Sequence, residues 1–211
     1  MWSNKVEIIK NIFNKMMKDI ESGVELETTH LLARLVKVLR FCTEHEIQKV
    51  DRYLSETEKM SEKTVEKMRQ FFYDSLALSG TKTTIHHLLQ KINDKKITPV
   101  KAAQLMKMLA EIRVPSDLIA EDIFNFCESN IVARNPLLRQ SCWLTYGSIV
   151  SGFCGNTENK MALELTEKMC PRTLKQKIVD QLIRKFETAE TRYEKVLFVK
   201  TLSNAAIDVS V

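Results

Sequence analysis

The net positive charge of this 211-residue chain is concentrated in one stretch, and this stretch is the strongest sign of binding chemistry in the sequence. Between Lys82 and Arg113 the sequence has seven basic residues and two acidic ones, a surplus of five that equals the net charge of the whole chain. Clustered ammonium groups attract acidic partners over long distances. The candidate contacts for an acidic partner are Lys91, Lys95, Lys96 and Lys101. The alternative is that these lysines only solvate a helix face and a loop.

The other reactive side chains form no catalytic or metal-binding pattern. His86 and His87 are adjacent, so on a helix they point about 100° apart and cannot easily share one metal ion. We expect one exposed and one half-buried histidine. The five cysteines include no CxxC pair and no Cys/His zinc spacing. Cys42, Cys127 and Cys142 are predicted to be small buried residues. Since motifs such as GxSxG, HExxH and a phosphate loop are also absent, we expect no enzyme activity, metal or cofactor.

Helical periodicity runs through the chain and supplies the elements that position these residues. Between Thr98 and Ile112, for example, Ala102, Leu105, Met106 and Leu109 recur at the spacing of one helix face. Only five glycines and four prolines occur, which argues against a turn-rich β fold. The pattern predicts helices at residues 4–21, 28–41, 44–54, 61–79, 83–93, 99–112, 117–130, 136–153, 158–168, 172–186 and 190–204.

Helix starts recur with a constant spacing. Ser61, Thr98, Asn135 and Arg172 are each 37 residues apart, and Thr98 and Asn135 are good N-caps that precede proline. Gly80 is the predicted end of one helix. A two-helix repeat must stack on its neighbours to bury its apolar stripes. We therefore predict an all-α fold, a two-layer α-solenoid (superhelix) of about ten or eleven antiparallel helices that spans residues 1–211 as one domain.

Several sequence runs resemble one protein family. They are THLLARLVKVLR (29–40), FYDSLALSGT (72–81), ITPVKAAQLMKML (97–109), RVPS (113–116) and NPLLRQSCWLTYGSIV (135–150). In this order they resemble the superhelical domain of the large lipid transfer proteins: vitellogenin, apolipophorin, apolipoprotein B and the large subunit of the microsomal triglyceride transfer protein. Vitellogenin is the preferred member, followed by apolipophorin. The run SNAA (203–206) departs from the family, because the glycines common at this place are absent.

The resemblance implies a biological role for a larger parent protein. It implies a secreted lipid carrier for lipid transport and nutrient storage in yolk, of which this chain is a piece truncated at both ends. The implied partners are the sheet domains of the parent and a receptor of the low-density-lipoprotein class, whose acidic calcium cages receive lysines. Weak contact with lipid or a membrane surface is also expected. The residues themselves indicate no nucleic-acid partner, no transmembrane segment and no signal peptide. The alternative is a cytosolic helical-repeat adaptor that binds protein partners.

The resemblance also implies a disulfide between Cys154 and Cys170. The family commonly has two cysteines a few residues apart at this place, whereas fifteen residues separate them here. The intervening residues of this chain favour a helix at 158–168, which would separate its ends by ~16 Å. Bridged Cα atoms must lie within about 7 Å of each other. Two alternatives therefore stay open: a disulfide bridge with the segment between the two cysteines folded back on itself, or a helix in that segment with two free thiols.

Overall fold

A computed structural model describes residues 4–23, 28–56, 61–111, 117–129, 134–154 and 172–205 of the chain. These residues form ten α-helices and no β-strand. The helices are α1 (Lys5–Glu21), α2 (Thr28–Leu39), α3 (Glu44–Ser55), α4 (Glu62–Ser79), α5 (Lys82–Asn93), α6 (Pro99–Glu111), α7 (Asp117–Glu128), α8 (Pro136–Cys154), α9 (Arg172–Thr188) and α10 (Arg192–Asn204). None of these helices is long and apolar enough to cross a membrane.

The predicted all-α fold class is confirmed. Ten of the eleven predicted helices occur, and each observed end lies within two residues of its predicted position. The eleventh predicted helix, at 158–168, lies outside the described residues. Periodicity located the helices well because each of them buries an apolar face, and burial of such a face supplies most of the stability of a helix in a protein.

The helices begin and end where the sequence supplies caps. The Asn135 side chain accepts a hydrogen bond from the amide of Leu138 at 3.1 Å, as predicted. Thr43 and Glu46 form a capping box at the start of α3, and Thr191 with Glu194 forms another at the start of α10. Gly80 ends α4 in the left-handed conformation, with φ of 63°.

The chain divides into two compact units, Met1–Lys91 (unit 1) and Ile92–Val211 (unit 2). In unit 1, α1 packs on α3 and α2 packs on α4, and α1 also contacts α2 and α4. Packing between alternate helices is the arrangement that a two-layer helical repeat requires. The core of unit 1 includes Phe13 and Phe72, whose rings meet edge to face with centroids 6.1 Å apart.

The central helix of unit 2 is α8. It packs on α6, α7 and α10, and Arg139 is the one charged residue among its nineteen. Such a helix must be enclosed by others. On one side, Trp143 and Tyr146 pack against Phe124 of α7, and Trp143 also meets the ring of Phe198 on α10. These aromatic side chains therefore form protein core, with Trp143 fully enclosed.

Three polar cross-links between alternate helices share one spacing along the chain. The Tyr53 hydroxyl donates to Asn14 at 2.7 Å, and Thr145 Oγ1 donates to the carbonyl oxygen of Met106 at 2.7 Å. Arg40, just after α2, donates to the carbonyl oxygen of Ser79 at 3.3 Å. Each pair is 39 residues apart in the chain. The spacing is close to the 37-residue period, so the cross-links mark the repeat that the sequence predicts.

At Gly147 the backbones of α8 and α10 approach each other closely. A Cβ atom placed on Gly147 would lie 2.5 Å from the carbonyl oxygen of Thr201 and 3.0 Å from Cβ of Asn204. Backbone atoms cannot move aside as a flexible side chain can. The absence of a side chain at residue 147 therefore sets the distance between the two helices.

We predict that Gly147→Ala destabilises the protein even though alanine favours helices. Alanine gains about 1 kcal/mol in helix propensity, but the clash with the backbone of α10 costs ~1–3 kcal/mol as overpacking does elsewhere. Thermal unfolding followed by circular dichroism should show a lower midpoint. Leu137→Ala, at an exposed position of the same helix, is the control and should leave the midpoint within about 2 °C. An equal or higher midpoint for Gly147→Ala would contradict the close approach.

Candidate functional site

The candidate site is the connection between α5 and α6, residues 94–98, which we call the lysine loop. Lys95 adopts the left-handed conformation with φ of 57°, and among the described residues no other non-glycine residue has a positive φ. Its amide donates to the carbonyl oxygen of Ile92 at 3.0 Å and so caps the end of α5. At the other end, Thr98 Oγ1 accepts from the amide of Lys101 at 3.3 Å and starts α6. The loop is therefore anchored to a helix at both ends.

A buried residue fixes which side chains of the lysine loop face water. Ile97 is 6% exposed and belongs to the core, whereas Lys95 and Lys96 are both exposed. Within the described ranges, neither lysine makes an ion pair with an acidic residue. The loop thus presents two neighbouring ammonium groups from a backbone held by Ile97 and two caps.

The first turns of α6 extend this surface. Val100, Gln104 and Lys107 are exposed, and their spacing places them on one face of the helix. Val100 is 59% exposed and lies beside these charged residues. This face of α6 therefore combines positive charge with a small exposed apolar side chain.

The four candidate lysines do not share one environment. Lys91 lies on α5 and pairs with Asp51 of α3 in unit 1, and both side chains are largely buried. Lys101 is half-buried and has an interaction partner of its own. Lys95 and Lys96 are therefore the two whose ammonium groups are most available to a partner.

The two neighbouring histidines differ in solvent exposure more than the sequence indicated. His86 is exposed, as expected for one of the two, but His87 is fully buried rather than half-buried. Nε2 of His87 lies 4.0 Å from Oδ2 of Asp51. Burial lowers the pKa of His87, while the charge of Asp51 acts in the opposite direction.

Sequence reasoning missed Asp51, although a signal was present. Residues 47, 50, 51 and 54 have the spacing of a helical apolar face, and three of them are the buried Ile47, Val50 and Leu54. An aspartate at the fourth position must find a cationic or hydrogen-bonding partner. The sequence marks the need for a partner but does not identify it, because Lys91 is 40 residues away.

Cys42, Cys127 and Cys142 are buried thiols, as predicted. Burial raises the pKa of Cys42 to about 11, and burial together with the neighbouring thiol of Cys142 raises the pKa of Cys127. These thiols are therefore poor nucleophiles. Cys154 ends α8, but its side chain and all of Cys170 lie outside the described residues. In the part of the chain that is described, no cluster of three acidic, histidine or cysteine side chains could hold a metal ion.

The fold and this surface define a class, a helical-repeat domain with an exposed basic face formed by the lysine loop and the start of α6. The family model described as the vitellogenin TPR domain matches residues 3–211. Vitellogenin-6 of Oscheius tipulae is 49% identical over 207 residues, which cover 97% of this chain and 12% of that protein. Vitellogenin-6 of Caenorhabditis elegans is 49% identical over 210 residues, which cover 99% of this chain and 13% of that protein. The chain belongs to the vitellogenin family.

Other relatives are more distant. Vitellogenin-1 of Fundulus heteroclitus is 22% identical over 203 residues, or 94% of this chain and 10% of that protein. A solved structure concerned with lipid–protein interactions in lipovitellin superposes with a TM-score of 0.76 at 20% identity and covers 97% of this chain and 20% of that one. This likeness shows the fold. The family predicted from the sequence is confirmed, and these comparisons give no support to the alternative of a cytosolic adaptor.

We predict that Lys95→Gly stabilises the chain. Glycine adopts the left-handed conformation without the steric cost that a side chain incurs there, so the free energy of unfolding should rise by about 1 kcal/mol or less. Urea unfolding of the chain measures the difference. Lys96→Gly is the matched control: it removes the same charge at a residue without positive φ, and it should not stabilise. Equal effects of the two substitutions would contradict the strained position at Lys95.

Proposed function

We propose that the chain is a non-catalytic structural and interaction domain of a secreted lipid carrier that supplies yolk. The observation that carries this proposal is the match of the vitellogenin family over residues 3–211. Because the chain spans 12% and 13% of its two relatives, the lipid transport belongs to the whole parent. The role of this piece is to hold other parts of the parent and to present a surface to partners.

The packing of each unit supports a role without lipid cargo of its own. In unit 1 the largest enclosed side chains are aromatic and aliphatic, including Phe13, Phe72 and Met16. In unit 2 the space around α8 is filled by Trp143, Tyr146 and their neighbours. Since protein interiors are close-packed, we infer that neutral lipid is carried by other domains of the parent.

An apolar strip on α10 is our candidate contact with the rest of the parent. Tyr193, Val196 and Val199 are 46%, 45% and 52% exposed, and their spacing brings them to one side of the helix. Apolar side chains grouped on a surface mark a contact with protein or lipid. We propose that sheet domains of the parent cover this strip, and that in the isolated piece it gives only weak adsorption to lipid surfaces.

We predict that the isolated 211-residue chain carries no stoichiometric neutral lipid, whereas the whole parent does. The measurement is organic extraction of both purified proteins, followed by mass spectrometry of the extracts. A Tyr193→Ser, Val196→Ser variant of the chain should lose weak adsorption to vesicles, since the apolar strip is removed. One or more tightly held lipids per isolated chain would overturn the assignment of the cargo to other domains.

For the basic face we propose a receptor of the low-density-lipoprotein class as the partner. Its acidic cages would receive Lys95 and Lys96, whose ammonium groups project from an anchored backbone. A lysine in such a cage gains charge-assisted hydrogen bonds of about 1.5–3 kcal/mol each. Lys91 and Lys101 would contribute less, because Lys91 is held by Asp51 and Lys101 is half-buried with its own interaction.

We predict that Lys95→Ala, Lys96→Ala weakens binding to a purified receptor ectodomain by at least about tenfold, because a loss of 1.4 kcal/mol has that effect. The dependence of affinity on salt should also become shallower. The control is Lys49→Ala, Lys67→Ala, which removes two exposed lysines from unit 1 and thus gives the same net charge. Equal weakening by both pairs would show that general charge, and not the lysine loop, attracts the receptor.

We also propose Cys154 and Cys170 as the disulfide of this chain, on the resemblance stated above. The intact mass of the unfolded chain, alkylated without reductant, separates the two alternatives. Three alkylated thiols indicate the bridge, and five exclude it.

A further inference from the structure

His87 is buried in unit 1 with neither ring nitrogen hydrogen-bonded. His87 is 2% exposed, and neither Nδ1 nor Nε2 has a hydrogen-bond partner among the described residues. A neutral imidazole has one N–H donor and one acceptor nitrogen, and leaving both unmet in the interior costs free energy. Protonation would make both ring nitrogens donors and would place a positive charge in the interior.

The carboxylate of Asp51 stands between two basic groups of α5. Its Oδ2 atom pairs with Nζ of Lys91 and lies 4.0 Å from Nε2 of His87. While His87 is neutral, the ammonium group of Lys91 balances the charge of Asp51. When His87 is protonated, two cations compete for one carboxylate in a mostly buried position.

Other titratable groups also face this cluster. Glu44 of α3 favours the charged form of His87, whereas His86 of α5 opposes it. From α4, Tyr73 approaches Asp51, and burial raises the pKa of its phenol to about 12, so it stays neutral. Burial is the largest influence on His87, and with Lys91 and His86 it lowers the pKa of the ring against the pull of Asp51 and Glu44.

We propose that His87, Asp51 and Lys91 form a proton-operated latch that holds α5 to α3 at neutral pH and releases it in mild acid. Protonation places a cation in the interior beside Lys91, and the strain is relieved when α5 moves outward and its charged groups reach water. The unfolded chain binds this proton near pH ~6.5, and the folded chain binds it at lower pH. The neutral form of His87 therefore makes its full contribution to the free energy of unfolding above about pH 6.5, and this contribution declines as the pH falls below that value.

The first test is a titration of the histidine ring protons by nuclear magnetic resonance. The chain has four histidines, and the exposed His30, His45 and His86 are internal references. The His87 midpoint should lie below the other three. Asp51→Asn should lower it further and Lys91→Gln should raise it, whereas a general loosening of the fold would move both midpoints toward the references. A His87 midpoint equal to the references, or one unchanged in both variants, would overturn the latch.

The second test is amide hydrogen exchange of the 211-residue chain, corrected for the intrinsic rate at each pH. Protection of α5 amides should fall by up to about tenfold for each pH unit below about 6.5, as linkage to one proton requires. His87→Phe should abolish the decline, and His86→Gln, the exposed neighbour, should retain it. A decline that persists in His87→Phe, or its absence in the wild-type chain, would refute the proposal. The titration uses the folded wild-type chain, so it decides the question even where His87→Phe does not fold.

Discussion

Residues Pro136–Cys154 form a largely apolar helix with one charged residue, Arg139, so it is stable in water only when other helices enclose it. In unit 2 that enclosure comes from α6, α7 and α10. The aromatic side chains of α8 fill the space toward α7, the hydroxyl of Thr145 reaches the backbone of α6, and Gly147 admits the backbone of α10. The positions of α6, α7 and α10 in unit 2 therefore depend on the residues along α8.

The local elements of this fold could be predicted from the sequence because they depend on neighbouring residues. The apolar stripe of α6, the caps at Thr98 and Asn135, and the left-handed end at Gly80 are all short-range signals. The composition of α8 also carried information, since a helix with one charged residue in nineteen is expected to be a central one. This run supported the family resemblance, but its central position was not predicted from its composition.

The polar contacts between helices could not be predicted in the same way. Arg139 pairs with Glu194, 55 residues away, and Lys185 with Glu128, 57 residues away. Such pairs depend on the rotation of each helix about its axis, which a repeat period of about 37 residues determines only coarsely. Lys91 and Lys95 illustrate the consequence. They are four residues apart and have the same charge, but one is engaged within unit 1 and the other is offered to solvent.

The three polar cross-links with a 39-residue spacing constrain how this chain can change length. Asn14 with Tyr53, and Met106 with Thr145, are each separated by 39 residues. A single-residue insertion within a helix rotates everything beyond it by about 100° and turns such a side chain away from its partner. An insertion in a connection is absorbed before the next helix begins. Length differences among homologous proteins should therefore be confined to the connections, while each helix keeps its own number of residues.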